Sequence, residues 1–399
     1  MFWGWATLTA QPMNQRAIEE VFSAKFGGGE RRIVVRSPGR INLVGEHTDY
    51  NEGFVLPAAI GRAIWFVAAP RTDNSVCFAA ANLNEEFICN LDSLEKTHRG
   101  WPNYLLGVLD QISRTHGIPG GCNVAFGGDI PIGAGLSSSA ALECGFALAL
   151  DAMFSLGIGR AEIARICQRA EQEFVGVQCG LMDQFANLFG RAANVIRLDC
   201  RTLEYEHIPF EMPDVCIVLV DSGIGRSLSD SRYNTRRSEC EEGAAFLRNH
   251  EPSIKTLRDV SIDILRKYEE SMDRVLFNRC AYVVRENERV IAAAEALRRR
   301  DPESLGKAML GSHLGLCAEF EVSTPELEIL VNTAMRVRGV YGSRMMGGGF
   351  GGCTITLVQQ SQKDYLIETV SSVFHKATGR EVTGQEVSPG PGSSIIEAR

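Results

Sequence analysis

Apolar residues along the chain gather into short β-branched runs and longer helical stretches, parted by glycine-rich breaks. Residues 32–36 and 64–69 read as strands. The segment between them, 37–57, is expected to be a structured loop, because Pro38, Gly39, Gly45 and Gly53 interrupt regular structure. Residues 123–126 predict a short strand, followed by a glycine-rich turn and a long apolar helix from about Ser138. The apolar run 140–158 contains Glu143 and Asp151, which would be costly in lipid, so it reads as a buried helix rather than a membrane span. Further helices are predicted over 160–175, from near Asp183, over 233–248 and 278–300, and around 325–338. Residues 215–220 predict a buried strand and 353–358 a further strand, and a domain division is placed near residue 205.

The 399 residues suffice for two domains, each with its own core, and 45% hydrophobic with 23% charged residues is an ordinary globular balance. A net charge of −8 without a basic stripe argues against nucleic-acid or membrane-surface partners, so an anionic ligand would need local donors. The twelve cysteines lie singly, with no CxxC pair to support zinc or a cluster. Scattered through apolar runs, they fit free thiols in a reducing compartment, and the expected location is the cytoplasm. His98, His116, His207, His250, His313 and His375 show no recognisable ligand spacing, and residues 1–11 lack the preceding basic region of a secretory signal.

Four segments carry candidate chemistry. In Gly133-Ala134-Gly135-Leu136-Ser137-Ser138-Ser139, set between a strand and an apolar helix, glycines permit close backbone approach to an anion. Unpaired helical N–H groups and the positive end of the helix dipole would face phosphates, and serine hydroxyls add donors and a magnesium ligand. An ordinary turn and N-cap explain the same residues. No Gly-Lys-Ser/Thr follows, so it is not a Walker A loop, and the resemblance to a dinucleotide fingerprint lacks the acidic residue ending a second strand. In 40–50, Glu46, His47 and Asp49 suit a hydroxyl-rich ligand, against the alternative of a solvated loop with Asp49 capping a turn. Asp183 falls where a helix begins, and sequence spacing leaves both an N-cap and a general base open. Five glycines within 347–352 point to positive φ angles or close approach, with a tight hairpin as the alternative.

Together these segments resemble the three signatures of the GHMP kinase superfamily. Residues 37–51, Ser-Pro-Gly-Arg-Ile-Asn-Leu-Val-Gly-Glu-His-Thr-Asp-Tyr-Asn, resemble the galactokinase signature almost without change. The resemblance continues through Glu171, 233–237, 286–289, 322–327 and 342–345, leaving only the first two dozen residues outside it. It implies an α+β fold of two α/β domains: an N-terminal ribosomal-protein-S5-like domain over 14–205 and a C-terminal ferredoxin-like domain over 206–390, with the active site in the cleft between them. The implied activity is phosphorylation of the C1 hydroxyl of galactose, with ATP as co-substrate and magnesium as the metal. A monomer is expected, with no nucleic-acid or membrane partner. By the same resemblance Glu46, His47, Thr48, Asp49, Gly180 and Tyr233 would bind the sugar. Asp183 would take or orient the hydroxyl proton, Arg40 would stabilise the attacking oxygen, and residues 133–139 would wrap the phosphates, while Ser139 and Glu171 would hold magnesium.

Three positions depart from the family pattern: Gly225 replaces a usual basic residue beside Arg226, Met346 a usual threonine, and the acidic pair near Ala318 is reduced to Glu319. N-acetylgalactosamine, or the substrate of another sugar 1-kinase of the superfamily, is kept as an alternative, because the same hydroxyl-reading loop could serve a sugar with a larger C2 group. A non-catalytic sugar- and ATP-binding regulator is the alternative of another class, disfavoured by the intact run Ser137, Ser138, Ser139 and by Asp183.

Overall fold

The apolar runs of the first half pair largely antiparallel. In the computed structural model, which describes residues 12–27, 31–131, 133, 135–224 and 231–398, this half contains α1 (Gln15–Phe26), β1 (Ile33–Asn42), β2 (Phe54–Val55), β3 (Pro57–Pro70), β4 (Ser75–Ala80), β5 (Glu85–Asn90), α2 (Pro102–Thr115), β6 (Cys122–Gly128), α3 (Ser138–Phe154), α4 (Arg160–Ala170), α5 (Met182–Phe189), β7 (Asn194–Asp199) and β8 (Tyr205–Pro209). The second half contains β9 (Val215–Asp221), α6 (Ser231–His250), α7 (Ile262–Arg266), α8 (Arg274–Arg298), α9 (Pro302–Ala318), α10 (Pro325–Ala334), β10 (Val340–Met345), β11 (Cys353–Gln359), α11 (Lys363–Thr378), β12 (Thr383–Val387) and β13 (Ser394–Ala398). Among the described residues the strands form sheets in the orders β13-β1-β3-β6-β4-β5, β10-β11-β9-β12 and β2-β7-β8. Ala134, Gly225 and Arg226 lie outside the described residues.

Helix α3 is apolar on nearly every side because it is the central helix of the first half. Phe146 and Leu150 share a core with Phe66 and Phe126 of the sheet, Leu105 of α2 and Ile163 of α4. In the second half Val218 and Val220 of β9 pack with Leu330 of α10 and Leu366 and Phe374 of α11. A further core spans both halves, joining Ile41, Leu43 and Ile60 to Leu219, Val290, Met346 and Ile355. Each such side chain contributes about 1.5–3 kcal/mol on burial, so the two halves are held at a fixed spacing. Strand β13 adds to this by returning to the edge of the first sheet, against β1.

Two expectations are corrected. The strand β1 runs on through Pro38 and Gly39, where a loop was expected, because a register shift against β3 between Pro38 and Arg40 absorbs the proline that cannot donate. Gly39 is required there, since a Cβ would lie 2.8 Å from the Leu136 carbonyl oxygen, to which the Arg40 N–H donates at 3.0 Å. The helix expected over 160–175 keeps α geometry only to Ala170. Residues Glu171–Val175 form a π turn, a feature frequent at functional sites.

Candidate active site

Strand β1, the loop after it, the turn before α3, the π turn, the start of α5, the first turn of α6 and the β10–β11 turn all open onto one cleft. Of the residues singled out from sequence, Arg40, Glu46, His47, Asp49, Gly133, Gly135, Ser137, Ser138, Ser139, Glu171, Gly180, Asp183 and Tyr233 line it. Two do not. Thr48 is fully buried and spends its hydroxyl on the carbonyls of Gly45 and Phe54, at 2.9 and 2.6 Å, so it shapes the loop instead of facing the cleft. The Leu136 side chain joins the core shared by the two halves, and only its carbonyl serves the site, by anchoring Arg40.

Asp183 does not cap its helix. Leu181 occupies the N-cap position, and the Asp183 carboxylate instead accepts from Arg40 Nε and Nη2, both at 2.7 Å, and from Ser137 Oγ at 2.7 Å. A planar guanidinium gripping both oxygens fixes orientation as well as position. Arg40 is 5% exposed, and burial works against its charge, yet the neighbouring Asp183 and Glu46 outweigh that and raise its pKa.

Ser137 sits in the left-handed region at φ 58°, a sterically costly choice for a non-glycine residue, and does not cap α3 with its side chain. The hydroxyl is committed to Asp183, which leaves the first backbone N–H groups of α3 facing the cleft. Gly133 and Gly135, both at φ 78°, carry the chain into this turn. Phosphate oxygens fit such a cradle of helix-end donors.

On the opposite wall Glu46, 1% exposed, accepts from the Gly347 N–H at 2.7 Å, and Arg344 Nη2 lies 2.8 Å away as an ion pair. Burial would raise its pKa, but the guanidiniums of Arg344 and Arg40 prevail and hold it below the usual value. The glycine-rich turn 347–352 thus braces a carboxylate. The role of Arg344 was missed from sequence, and its only signal was the stretch 342–345. His47, at φ 61°, bonds Tyr50 Oη at 2.9 Å, and its ring packs against those of Tyr233 and Phe320 with centroids 5.3 and 4.7 Å away.

Asp49 accepts from the N–H groups of Tyr50 and Met182 at 3.0 and 3.3 Å. Burial, then the charge of Asp183, pushes its pKa up to about 6. Gly180 makes this placement feasible, since a Cβ there would fall 2.1 Å from the Asp49 carboxylate. The loop carrying Gly180 is clamped by α6, with Asn234 bonding Gln178 N–H and the Gly176 carbonyl, each at 3.0 Å.

Behind the turn that leads into α3, Gln184 donates to Glu171 at 3.0 Å and to Glu143 of α3 at 3.3 Å. Ser139 also bonds Glu171, whose pKa is pushed up to about 7 by burial and then by Asp183. Burial and the charge of Glu171 raise Glu143 further. An oxygen-only donor pair, Ser139 and Glu171, beside mutually repelling carboxylates fits a hard cation such as magnesium.

The family described as GHMP kinases N terminal domain matches residues 103–191, and GHMP kinases C terminal matches 293–376. The galactokinase galactose-binding signature matches 20–70. The galactokinase of Roseiflexus sp. (strain RS-1) is 43% identical over 351 residues, covering 88% of this chain and 90% of that protein. The galactokinase of Fusobacterium nucleatum is 38% identical over 384 residues, covering 95% and 98%. The crystal structure of Lactococcus lactis galactokinase complexed with galactose matches with a TM-score of 0.92 and 34% identity, covering 96% and 99%. Mevalonate kinase of Methanococcus jannaschii shares the fold alone, at a TM-score of 0.63 and 17% identity.

Fold and site together define a GHMP kinase, with the mixed helix-and-sheet architecture expected from the sequence. Within that class the chain belongs to the galactokinase family.

Proposed function

We propose that this chain transfers the γ-phosphoryl group of ATP to the C1 hydroxyl of galactose, with Asp183 as general base. The observation that carries this reading is the position of the Asp183 carboxylate, gripped by Arg40 and Ser137 between the α3 tip and the wall that carries Asp49 and Glu46. Phosphoryl transfer demands alignment and charge neutralisation more than covalent help. The α3 tip holds the triphosphate, and Arg40 steadies charge at the attacking oxygen. Glu46, His47, Asp49 and Tyr233 orient the sugar. Ser139 and Glu171 would hold magnesium, which when bound neutralises the β and γ phosphate oxygens. A monomer in the cytoplasm completes the proposal. Among the described residues no helix is long and apolar enough to cross a membrane, and all twelve cysteines are free.

The test is ADP release with ATP, magnesium and a panel of sugars. Galactose-dependent turnover is expected, and turnover with N-acetylgalactosamine alone would reassign the substrate. Binding of galactose and ATP without any ADP release would favour a regulator.

Further outcomes follow from Asp49. Its ionised form accepts sugar hydroxyls best, so kcat/KM for galactose should fall as pH drops through about 6. Asp49→Asn should lower kcat/KM at neutral pH and flatten that acidic limb, and a limb that persists belongs to another group. Because the folded pKa lies above the ordinary 3.8, the ligand-free fold binds this proton more tightly than the unfolded chain, and the associated stability is lost as pH rises through about 6. Gly180→Ala should push the Asp49 carboxylate from its place and raise the KM for galactose, with a much smaller effect on the KM for ATP. Equal rises in both would show that the loop, not Asp49, had been disturbed.

A further inference from the structure

A second group of metal-ligating side chains converges outside the cleft. His313 and Cys317, four residues apart, share one face of α9. The chain then turns, Thr324 caps α10 at Leu327, and Glu328 comes back toward that face. One donor atom from each of the three lies within 4.8 Å of the others. His313 Nε2 is 3.6 Å from Cys317 Sγ and 3.6 Å from Glu328 Oε1, while Cys317 Sγ donates to Glu328 Oε1 at 2.7 Å.

Zinc bonds of about 2.0–2.3 Å in a tetrahedron set donor-to-donor separations of roughly 3.3–3.7 Å. The two distances to the imidazole already meet this, and the third is a thiol hydrogen bond that opens once the proton leaves. His313 is buried, but Cys317 and Glu328 are partly exposed and give a metal its way in. Glu328 supplies opposite charge, and the Arg344 guanidinium, whose field also reaches His313, works against a cation.

We propose that His313, Cys317 and Glu328 form a binding site for a zinc-class divalent ion, with water in the fourth position, and that filling it weakens sugar binding. Sulfur and imidazole donors discriminate against magnesium and calcium, so the ion serving phosphoryl transfer does not compete here. On binding, the metal takes the Cys317 sulfur electron pair and one proton leaves to solvent. The imidazole proton must also move. Nδ1 now accepts from the Met345 N–H at 3.3 Å, so Nε2 carries the proton. Metal on Nε2 sends that proton to Nδ1, where it faces the Met345 N–H and breaks the bond. Met345 ends β10, directly after Arg344 and two residues before Gly347, the two partners of Glu46. The tautomer change therefore reaches the sugar wall through the backbone of one strand.

Cobalt(II) titration of the full chain tests the site through thiolate-to-metal charge-transfer absorption and the intense visible bands of a four-coordinate ion. Saturation at one equivalent is expected, with the charge-transfer band lost in Cys317→Ser and binding weakened more than about tenfold in Glu328→Gln. No saturable band, or the same band in Cys317→Ser, overturns the site, since eleven other thiols would survive that substitution. In the unaltered chain zinc should slow alkylation of Cys317, read by peptide mass, and an unchanged rate counts equally against it. The coupling is read separately. Zinc should raise the KM for galactose by about fivefold, the scale of one lost hydrogen bond, in the original chain but not in Cys317→Ser. An unchanged KM at full occupancy removes the coupling while leaving the site, and the cobalt readout does not depend on the kinase reading.

Discussion

Asp183→Asn should bind galactose and ATP nearly as the original chain does, yet lose about 10²–10⁴ in kcat, the contribution of a positioned general base. In barrier terms that is roughly 3–5 kcal/mol. The substitution is nearly isosteric. Its amide oxygen still accepts from Arg40 or Ser137, and Arg40 keeps Glu46 as a neighbouring negative charge, so no buried cation is stranded. What disappears is the proton acceptor, together with the two-oxygen grip that sets the line of attack. Calorimetric sugar affinity beside steady-state ADP release separates the two effects. If kcat stays within about tenfold, Asp183 is not the base, and catalysis rests on Arg40 and the phosphate cradle.

Much of this site was legible because its pieces are local. The run 133–139 before an apolar helix, the polar density at 46–49 and the glycines of 347–352 each show their chemistry within a few residues, and each reaches the cleft. The relations between pieces were not legible. Whether Asp183 caps a helix or faces a partner depends on Arg40, 143 positions away, and local propensity favours the cap. The brace on Glu46 comes from Arg344, 298 positions later. Helix α9 did not register in the pattern because Gly306, Gly311 and Gly315 look like breaks. In the fold Gly306 lets the helix approach β10, where a Cβ would lie 2.2 Å from the Tyr341 carbonyl, and Gly315 makes room for the Tyr282 ring. Without that helix the spacing of His313 and Cys317 carried no meaning, and Glu328 could not be assigned to the same place. The π turn at Glu171 escaped for a different reason: its residues suit an α-helix, and no residue within the stretch marks the departure.

Arg344→Met should cost about 3–5 kcal/mol of stability, because it breaks a buried ion pair from one side only. Methionine fills much of the volume but abandons the carbonyls of Asn42 and Leu43, which accept from Arg344 Nη1 at 3.2 and 2.9 Å, and leaves Glu46 with the Gly347 N–H and the more distant Arg40. The pH dependence distinguishes this cause from simple loss of packing. In the original chain the Glu46 pKa is held below the ordinary 4.5, so its contribution is present above that pH and lost as pH falls through the folded value. Remove the principal guanidinium and burial dominates, raising that pKa, so the variant loses stability as pH rises. The gap between the two chains, measured by urea unfolding, should therefore narrow in acid and widen toward neutrality. Glu46→Gln added to Arg344→Met should recover part of the loss by removing the stranded charge, as replacing a whole buried pair often does. Galactose binding should stay weak in the double variant, since the acceptor and its brace are both gone. A gap independent of pH would mean that Arg344 acts only through the Asn42 and Leu43 carbonyls, and that the glycine turn alone holds Glu46.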